Sequence, residues 1–402
     1  MHHIEKLCKY CRNELKEIIP KDSKLSYDVV IAGASVAGLF CAREIAKAGH
    51  SVLVLEEDFE VGSPEHCGGL VSASGLQDLG IIPSTKTLDY PIQKARLTSP
   101  GGKTLDIDAK KQNVIVINRR ELDKQIAHQA QKNGAEIEVK TSLKEFRQGQ
   151  AVTSAGTFDC KILVDARGIT SIIQRDRTGT LQSAQYEIYA DWIQKGLVEV
   201  NFDSLKYPGF FSWVIPAADG MGKVGVAGKG INAISAIEKF LEQKGKHSTI
   251  RKVFAPIWIN GPLGDFLESN KVIVGDAAGQ AKPTTAGGIY SCGVGGILAG
   301  RAISNYLISN NKDDLKSYQK LWTEKFGKEF EKQLFARKML ERLDNSTIDK
   351  IFSTITPEMI SDISSNDDFD FHTSAIIKML GLRGSLKIAQ TIFGGEIRKL
   401  LN

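Results

Sequence analysis

The feature that most constrains the fold is a strand, a glycine-rich turn, a helix and a second strand that follow one another early in the chain. Residues 27–31 form a short apolar run, and residues 33–38 read Gly-Ala-Ser-Val-Ala-Gly. An Ala-rich helix is predicted over 39–48, a strand over 51–55, and Glu56 stands at its end. A tight Gly turn, a close backbone approach to a diphosphate and a strand-end acid for a ribose predict a dinucleotide-binding βαβ unit.

A second strand-turn-helix lies far downstream. The apolar run 271–274 leads into Gly275 and Asp276, and Gly287 and Gly288 open a long helix. Alone, this segment is also typical of an ordinary strand-turn-helix. Paired with the first unit, Asp276 is placed to accept hydrogen bonds from ribityl hydroxyls. The helix N-terminus is placed to stabilise negative charge on a flavin ring or a diphosphate.

Composition limits the class of protein. The 402 residues include 52 basic and 47 acidic side chains, a net charge of +5, which does not require a nucleic-acid partner. The sequence contains no run of about 18 or more apolar residues, so no membrane-spanning helix is expected. The stretch before the first strand is charged throughout, so no signal peptide is expected. The six cysteines have no disulfide-framework spacing, which favours a reducing, cytoplasmic location.

Cys8 and Cys11 form a CxxC pair near the start of the chain, with His2 and His3 close by. Two interpretations stay open. The thiols fall on the apolar face of a predicted helix, which favours simple packing. A zinc or cluster site needs two further ligands, and no second CxxC is present. We therefore assign no metal.

The pattern along the chain predicts five segments. Between about 186 and 230, apolar and polar residues alternate and aromatic residues are frequent, which indicates a mostly antiparallel sheet. This sheet interrupts the nucleotide-binding layer, which resumes near 271. The predicted segments are a helical arm (1–26), a nucleotide-binding part with a hairpin insertion near 85–112 (27–185), the antiparallel sheet (186–262), the rest of the nucleotide-binding domain (263–310) and a C-terminal helical region (311–402).

Five motifs in this order resemble the para-hydroxybenzoate-hydroxylase-like flavoproteins. They are residues 33–38, Glu56, 119–123 (Arg-Arg-Glu-Leu-Asp), 164–168 (Val-Asp-Ala-Arg-Gly) and 274–276 (Val-Gly-Asp). Within that superfamily, residues 62–72 and 211–216 are similar to segments of the geranylgeranyl reductase family. The resemblance implies an α/β fold: a Rossmann-like FAD-binding domain with an inserted, mostly antiparallel β-sheet substrate domain and a C-terminal helical region.

The resemblance also implies which residues bind FAD. Glu56 is expected to accept the adenosine ribose hydroxyls, Arg119 to supply a cation near the diphosphate, and the backbone near Leu143 to hold adenine. Asp276 is expected at the ribityl chain, with the Gly288 and Ile289 amides at the pyrimidine edge. The full expected set is Gly33, Ser35, Ala37, Gly38, Glu56, Cys67, Gly68, Leu70, Arg119, Leu143, Asp276, Gly287, Gly288 and Ile289. Ser35, Arg167 and Ile215 depart from the family pattern.

Cys67 is the candidate catalytic residue. Its neighbours Gly68 and Gly69 allow the backbone to approach the flavin, and the thiol is expected either to position and protonate an alkene or only to pack beside the ring. An isoprenoid double bond is unpolarised, so its reduction needs a hydride from flavin N5 and a proton from the protein. Phe210, Phe211 and Trp213 are expected to line part of an apolar substrate pocket.

The implied partners are an isoprenoid or prenylated lipid and an electron donor, which the sequence leaves open as NAD(P)H, ferredoxin or another reduced carrier. The basic, apolar stretch from 372 onward predicts either a peripheral membrane contact or a helix packed on the protein. Two other enzyme classes share the FAD motifs: aromatic monooxygenases and electron-transfer flavoprotein dehydrogenases. A flavin-bound sensor or lipid-binding module is the non-enzymatic alternative.

Overall fold

The computed structural model describes residues 26–217, 220–366 and 369–371. The predicted N-terminal arm with Cys8 and Cys11, and the basic stretch from 372 onward, lie outside these ranges. The strands of the described residues are β1 (Ser26–Ala32), β2 (Val52–Leu55), β3 (Leu70–Ser72), β4 (Leu88–Pro91), β5 (Lys94–Thr98), β6 (Thr104–Asp108), β7 (Val114–Ile117), β8 (Glu136–Glu138), β9 (Leu143–Arg147), β10 (Gln150–Thr153), β11 (Thr157–Asp165), β12 (Thr180–Tyr189), β13 (Leu197–Asn201), β14 (Ser212–Pro216), β15 (Met221–Gly228), β16 (Ser248–Phe254), β17 (Ile257–Trp258), β18 (Leu267–Glu268) and β19 (Lys271–Ile273).

The helices of the same ranges are α1 (Val36–Lys47), α2 (Ala73–Asp78), α3 (Arg119–Lys132), α4 (Ile169–Ile173), α5 (Ala233–Lys244), α6 (Ile289–Ser309), α7 (Lys312–Leu340), α8 (Asn345–Thr354) and α9 (Pro357–Asn366). A short 3-10 turn, Gly275–Ala278, precedes α6.

The first sheet has a parallel core in the order β19-β11-β1-β2-β8. Strand β18 and the β9–β10 hairpin extend it in antiparallel pairings. All four residues of β2 are buried: Val52 and Val54 pack in the cluster that includes α1, and Leu53 and Leu55 pack against the β9–β10 hairpin on the other face. Because these strands are parallel, the carboxyl ends of β1, β2, β11 and β19 lie at the same edge of the sheet. The sequence motifs follow these strand ends.

The second sheet has the order β16-β12-β15-β14-β13-β5-β6, with β17 paired to β12. Its pairings are antiparallel except for β5 beside β13. The predicted hairpin β5–β6 therefore pairs with this sheet and not with the first one. Strand β12 begins at Thr180, six residues before the predicted start of the sheet segment. A third, small sheet has the order β3-β7-β4.

Helices α1 and α6 lie in direct backbone contact. A Cβ atom on Gly296 would lie 2.2 Å from the Ala37 carbonyl oxygen, and one on Gly300 would lie 2.7 Å from that of Cys41. Only glycine permits this separation. The contact brings the N-terminus of α6, which carries the downstream motif, beside the N-terminus of α1, which carries the upstream one.

None of the helices in the described ranges is both long enough and apolar enough to cross a membrane.

Candidate active site

A cavity of about 920 Å³ is lined by the motif-bearing edge of the first sheet, by the second sheet and by helices α7 to α9. Every residue that the sequence analysis assigned to a site lines it, with one exception. The lining members are Gly33, Ser35, Ala37, Glu56, Cys67, Gly68, Leu70, Arg119, Leu143, Phe210, Phe211, Trp213, Asp276, Gly287, Gly288 and Ile289. The exception is Gly38, whose Cβ would lie 2.1 Å from the Gly33 carbonyl oxygen. Gly38 therefore allows α1 to pack against the turn that follows β1.

The N-terminus of α1 forms one end of the cavity. Gly33 has φ +109°, and a Cβ there would lie 2.4 Å from the Ala166 carbonyl oxygen. Ser35 is the N-cap, yet its side chain caps no helical amide. The first-turn N–H groups of α1 have no intrahelical partner, so they can bind an anion.

Arg119 opens α3 beside this helix end. Its Nη2 donates to Ser35 Oγ at 3.1 Å and to both carboxylate oxygens of Asp123 at 2.9 Å. Burial alone would lower the pKa of Arg119, but the Asp123 carboxylate raises it, so the guanidinium stays charged. Nε of Arg119 is buried and has no hydrogen-bond partner among the described residues. The sequence analysis gave Asp123 no role, although the 119–123 motif contains it.

Glu56 follows β2 at the next strand end. Its Oε2 accepts from the Ala34 N–H at 2.9 Å and its Oε1 from the Asp58 N–H at 3.1 Å. Burial raises the pKa of Glu56, against these two hydrogen bonds. Each carboxylate oxygen keeps a lone pair for a further donor. Leu143, at the start of β9, lines the same part of the cavity.

Asp276 lies in the 3-10 turn, facing the N-terminus of α6. Its Oδ1 accepts from Cys292 Sγ at 3.3 Å. A Cβ on Gly288, the N-cap of α6, would lie 3.2 Å from that same Oδ1. Burial raises the pKa of the Asp276 carboxyl, against the Cys292 hydrogen bond.

Cys67 lies on a loop between the two large sheets. Its Sγ accepts from the Gly69 N–H at 3.3 Å, and its carbonyl oxygen accepts from Gln185 Nε2 at 3.3 Å. Gln185 in turn accepts from Trp213 Nε1 at 3.2 Å. A Cβ on Gly68 would lie 2.6 Å from Ile215 Cδ1. The loop is therefore fixed against the second sheet, and Gln185 is a contact that the sequence analysis missed.

An apolar arm extends the cavity away from Cys67. Phe210 and Phe211 stack with ring centroids 4.1 Å apart, and both lie edge-on to Trp213. Strands β5 and β13 supply Leu97 and Val200. The opposite wall comes from the C-terminal helical region, for which no role in the site was predicted. Its lining residues are Leu340, Leu343, Ile348, Ile351, Phe352, Ile355, Ile363 and Phe369.

Comparison with known proteins shows the family of this chain. Residues 26–248 match the FAD binding domain family. The chain belongs to that family. A digeranylgeranylglycerophospholipid reductase 2 from Methanopyrus kandleri is 28% identical over 371 residues, 84% of this chain and 92% of the relative. A protein of the same description from Methanothermobacter thermautotrophicus is 29% identical over 364 residues, 85% of this chain and 94% of the relative.

Two solved structures share the fold of this chain. A geranylgeranyl bacteriochlorophyll reductase-like protein from Thermoplasma acidophilum superposes with a TM-score of 0.79 at 23% identity, covering 94% of this chain and 98% of the other. PqsL, a probable FAD-dependent monooxygenase from Pseudomonas aeruginosa, gives 0.62 at 16% identity, covering 82% of this chain and 100% of the other. The predicted fold class and the resemblance to geranylgeranyl reductases are confirmed. The protein is an FAD-dependent oxidoreductase.

The residues present fit FAD. The unpartnered, buried Nε of Arg119 lies beside the open amides of α1, a combination suited to a diphosphate. Gly33 and Gly288 line the cavity without a side chain, and the carboxylates of Glu56 and Asp276 line it as well.

Proposed function

We propose that the protein reduces isoprenoid double bonds, those of geranylgeranyl chains in membrane-lipid precursors of the archaeal type. One observation carries this proposal: a single cavity is lined both by the residues proposed to bind FAD and by the apolar arm, and the Cys67 loop is hydrogen-bonded through Gln185 to Trp213 of that arm. The side chains assigned to that arm are apolar, and an isoprenoid chain needs only apolar contact. Two cations beside the arm are each paired with a carboxylate, Lys282 with Asp370 and Arg337 with Glu341. The names of the two reductase relatives support the same substrate class.

Each part of the site has a proposed role. Bound FAD, once reduced, supplies the hydride. Cys67 Sγ holds the proton for the second alkene carbon, and Gln185 fixes the backbone of Cys67. The aromatic cluster Phe210, Phe211 and Trp213 excludes water and orients the chain.

The cofactor contacts are proposed in the same way. Glu56 accepts the adenosine ribose hydroxyls, Arg119 and the α1 amides bind the diphosphate, and the backbone near Leu143 holds adenine. Asp276 accepts ribityl hydroxyls. The Gly288 and Ile289 amides stabilise negative charge at the pyrimidine edge.

An anaerobic single turnover tests the proposal. Dithionite-reduced protein is mixed with a geranylgeranylated glycerophospholipid, and the flavin absorbance is followed. We expect the lipid to reoxidise the flavin. No reoxidation by the lipid, together with oxygen uptake in the presence of an aromatic acid, would instead identify a monooxygenase.

Titration with NADPH, NADH and reduced ferredoxin identifies the electron donor. Flotation with anionic liposomes at low salt tests the proposed peripheral membrane contact.

We expect Leu97→Asp to block the apolar arm. Leu97 lines it, and an unpaired carboxylate there must stay hydrated, which keeps the chain out. The rate of lipid-driven flavin reoxidation is expected to fall about tenfold or more, with FAD content unchanged. Leu205→Asp is the matched control, because Leu205 is 83% exposed and does not line the cavity. Equal reoxidation rates in the two variants would contradict the proposal that the apolar arm binds the isoprenoid chain.

We expect Asp276→Asn to stabilise the apoprotein at neutral pH. Because burial raises the folded-state pKa of Asp276, stability falls as pH rises from the unfolded-state pKa through the folded-state value. Asparagine carries no charge to bury, so the Tm of the apoprotein rises at pH 7 and the difference disappears below the unfolded-state pKa.

The same substitution is expected to weaken FAD binding about 5- to 10-fold, because hydroxyls donate more strongly to a carboxylate than to an amide. Differential scanning fluorimetry of the apoprotein and FAD titration measure the two effects. Asp191→Asn, at an exposed position, is the control. An apoprotein Tm that does not rise at pH 7 contradicts the burial argument.

A further inference from the structure

The Glu65 carboxylate joins three elements two residues before Cys67. It accepts from the Arg119 backbone N–H at 3.1 Å, from Arg251 Nη2 at 3.1 Å and from Lys223 Nζ in a close ion pair. These donors come from the start of α3, from β16 and from β15. One side chain therefore connects the Cys67 loop to the FAD-binding domain and to the second sheet at once.

The ion pair is almost completely buried. Glu65 is 5% exposed and Lys223 2% exposed. Burial would raise the pKa of Glu65, but Lys223 lowers it below the usual value, so the group is a carboxylate at neutral pH. Arg251 has a second partner, Glu187, at 2.7 Å. A buried ion pair generally adds little net stability over apolar residues of similar size. Stability alone therefore does not explain why Glu65 and Lys223 are buried together beside the Cys67 loop.

The loop is held on the other side of Cys67 as well. A Cβ on Gly69 would lie 2.3 Å from the Ile117 carbonyl oxygen and 3.3 Å from Lys223 Nζ. Lys223 thus contacts the loop both before and after Cys67. Arg119, whose N–H binds Glu65, carries the guanidinium that faces the diphosphate position. The Glu65 carboxylate therefore helps to fix the positions of both Cys67 and Arg119.

We infer that Glu65 and Lys223 are positioning residues, which set the place of Cys67 Sγ relative to the cofactor. The inference rests on the role of Cys67 in the proposed function. Neither side chain is assigned to contact the reacting atoms. Their effect passes through the loop, and a small displacement of a reacting group is enough to slow a reaction about 100-fold.

The test uses the double variant Glu65→Gln/Lys223→Met, which removes both charges of the ion pair and leaves Arg251 paired with Glu187. Two quantities are measured in full-length protein with Cys8 and Cys11 changed to serine: kcat and KM for lipid reduction, and the rate at which Ellman's reagent modifies Cys67. Cys67→Ala identifies the signal of that thiol. We expect kcat to fall about 10- to 100-fold with KM little changed, and the modification rate to change severalfold.

The matched control is Glu199→Gln/Lys244→Met, an ion pair of the same type that joins β13 to α5 and does not line the cavity. It is expected to leave both quantities unchanged. The inference is overturned if the Glu65/Lys223 variant keeps either the wild-type kcat or the wild-type thiol reactivity. Full turnover by Cys67→Ala is a different result: it overturns the role of Cys67, while the thiol reactivity still reports on loop position.

Discussion

Gly33→Ala is expected to yield a folded protein that purifies without FAD. Gly33 has φ +109°, and an added Cβ would lie 2.4 Å from the Ala166 carbonyl oxygen, a backbone atom that cannot rotate away. Left-handed strain and overpacking together amount to roughly 2–6 kcal/mol. The turn relieves this strain by moving, and the α1 amides then no longer meet the diphosphate. Flavin absorbance of the purified protein and FAD titration of the apoprotein measure the loss.

Gly49→Ala is the control for this substitution. Gly49 ends the same helix, also has a positive φ of +86°, and has no atom within 4 Å of an added Cβ. Its replacement introduces only the left-handed strain, about 1 kcal/mol, and leaves FAD binding intact. Stoichiometric FAD in the Gly33→Ala protein would show that the turn does not hold the diphosphate.

Cys67→Ala is expected to slow alkene reduction about 100-fold or more, the usual contribution of a positioned proton donor. FAD content and reduction by dithionite are expected to stay normal, because alanine fits the space of the thiol and the cofactor is bound by other groups. The measurement is anaerobic flavin reoxidation by the geranylgeranylated lipid.

Two further variants separate chemistry from packing. Cys67→Ser keeps a hydroxyl of similar size but a much weaker acid, so it is expected to remain slow. Cys160→Ala changes a buried cysteine of β11 outside the cavity and is expected to reduce the lipid at the normal rate. If Cys67→Ala turned over at the wild-type rate, Cys67 would be a packing residue only.

The expected site residues that line the cavity belong mainly to local motifs. Gly33 and Glu56 belong to one βαβ unit, so spacing alone places them at one edge of the sheet. Asp276 and Gly288 belong to one strand-turn-helix segment, and the parallel order of β1, β11 and β19 brings it beside the βαβ unit. Such positions depend on turn geometry and strand register, which the sequence encodes over a few dozen residues.

The parts that were missed depend on contacts between distant segments. The parallel pairing of β5 with β13 moves the early hairpin into the second sheet. Gln185 and Lys223 look like ordinary strand residues until β12 and β15 are placed against the Cys67 loop. The C-terminal helices form a wall of the apolar arm although their sequence shows only amphipathic helices. The motif 119–123 contains a spacing signal for the Arg119–Asp123 pair, since i and i+4 residues share a helix face.

We propose that the bound, reduced cofactor delivers its electrons to an isoprenoid double bond. Mass spectrometry of the lipid after an anaerobic single turnover with the dithionite-free, reduced protein measures this transfer. We expect the lipid to gain two hydrogens for each flavin oxidised, and to gain them about 100-fold more slowly with Cys67→Ala. A flavin that is reoxidised while the mass of the lipid stays unchanged would contradict it.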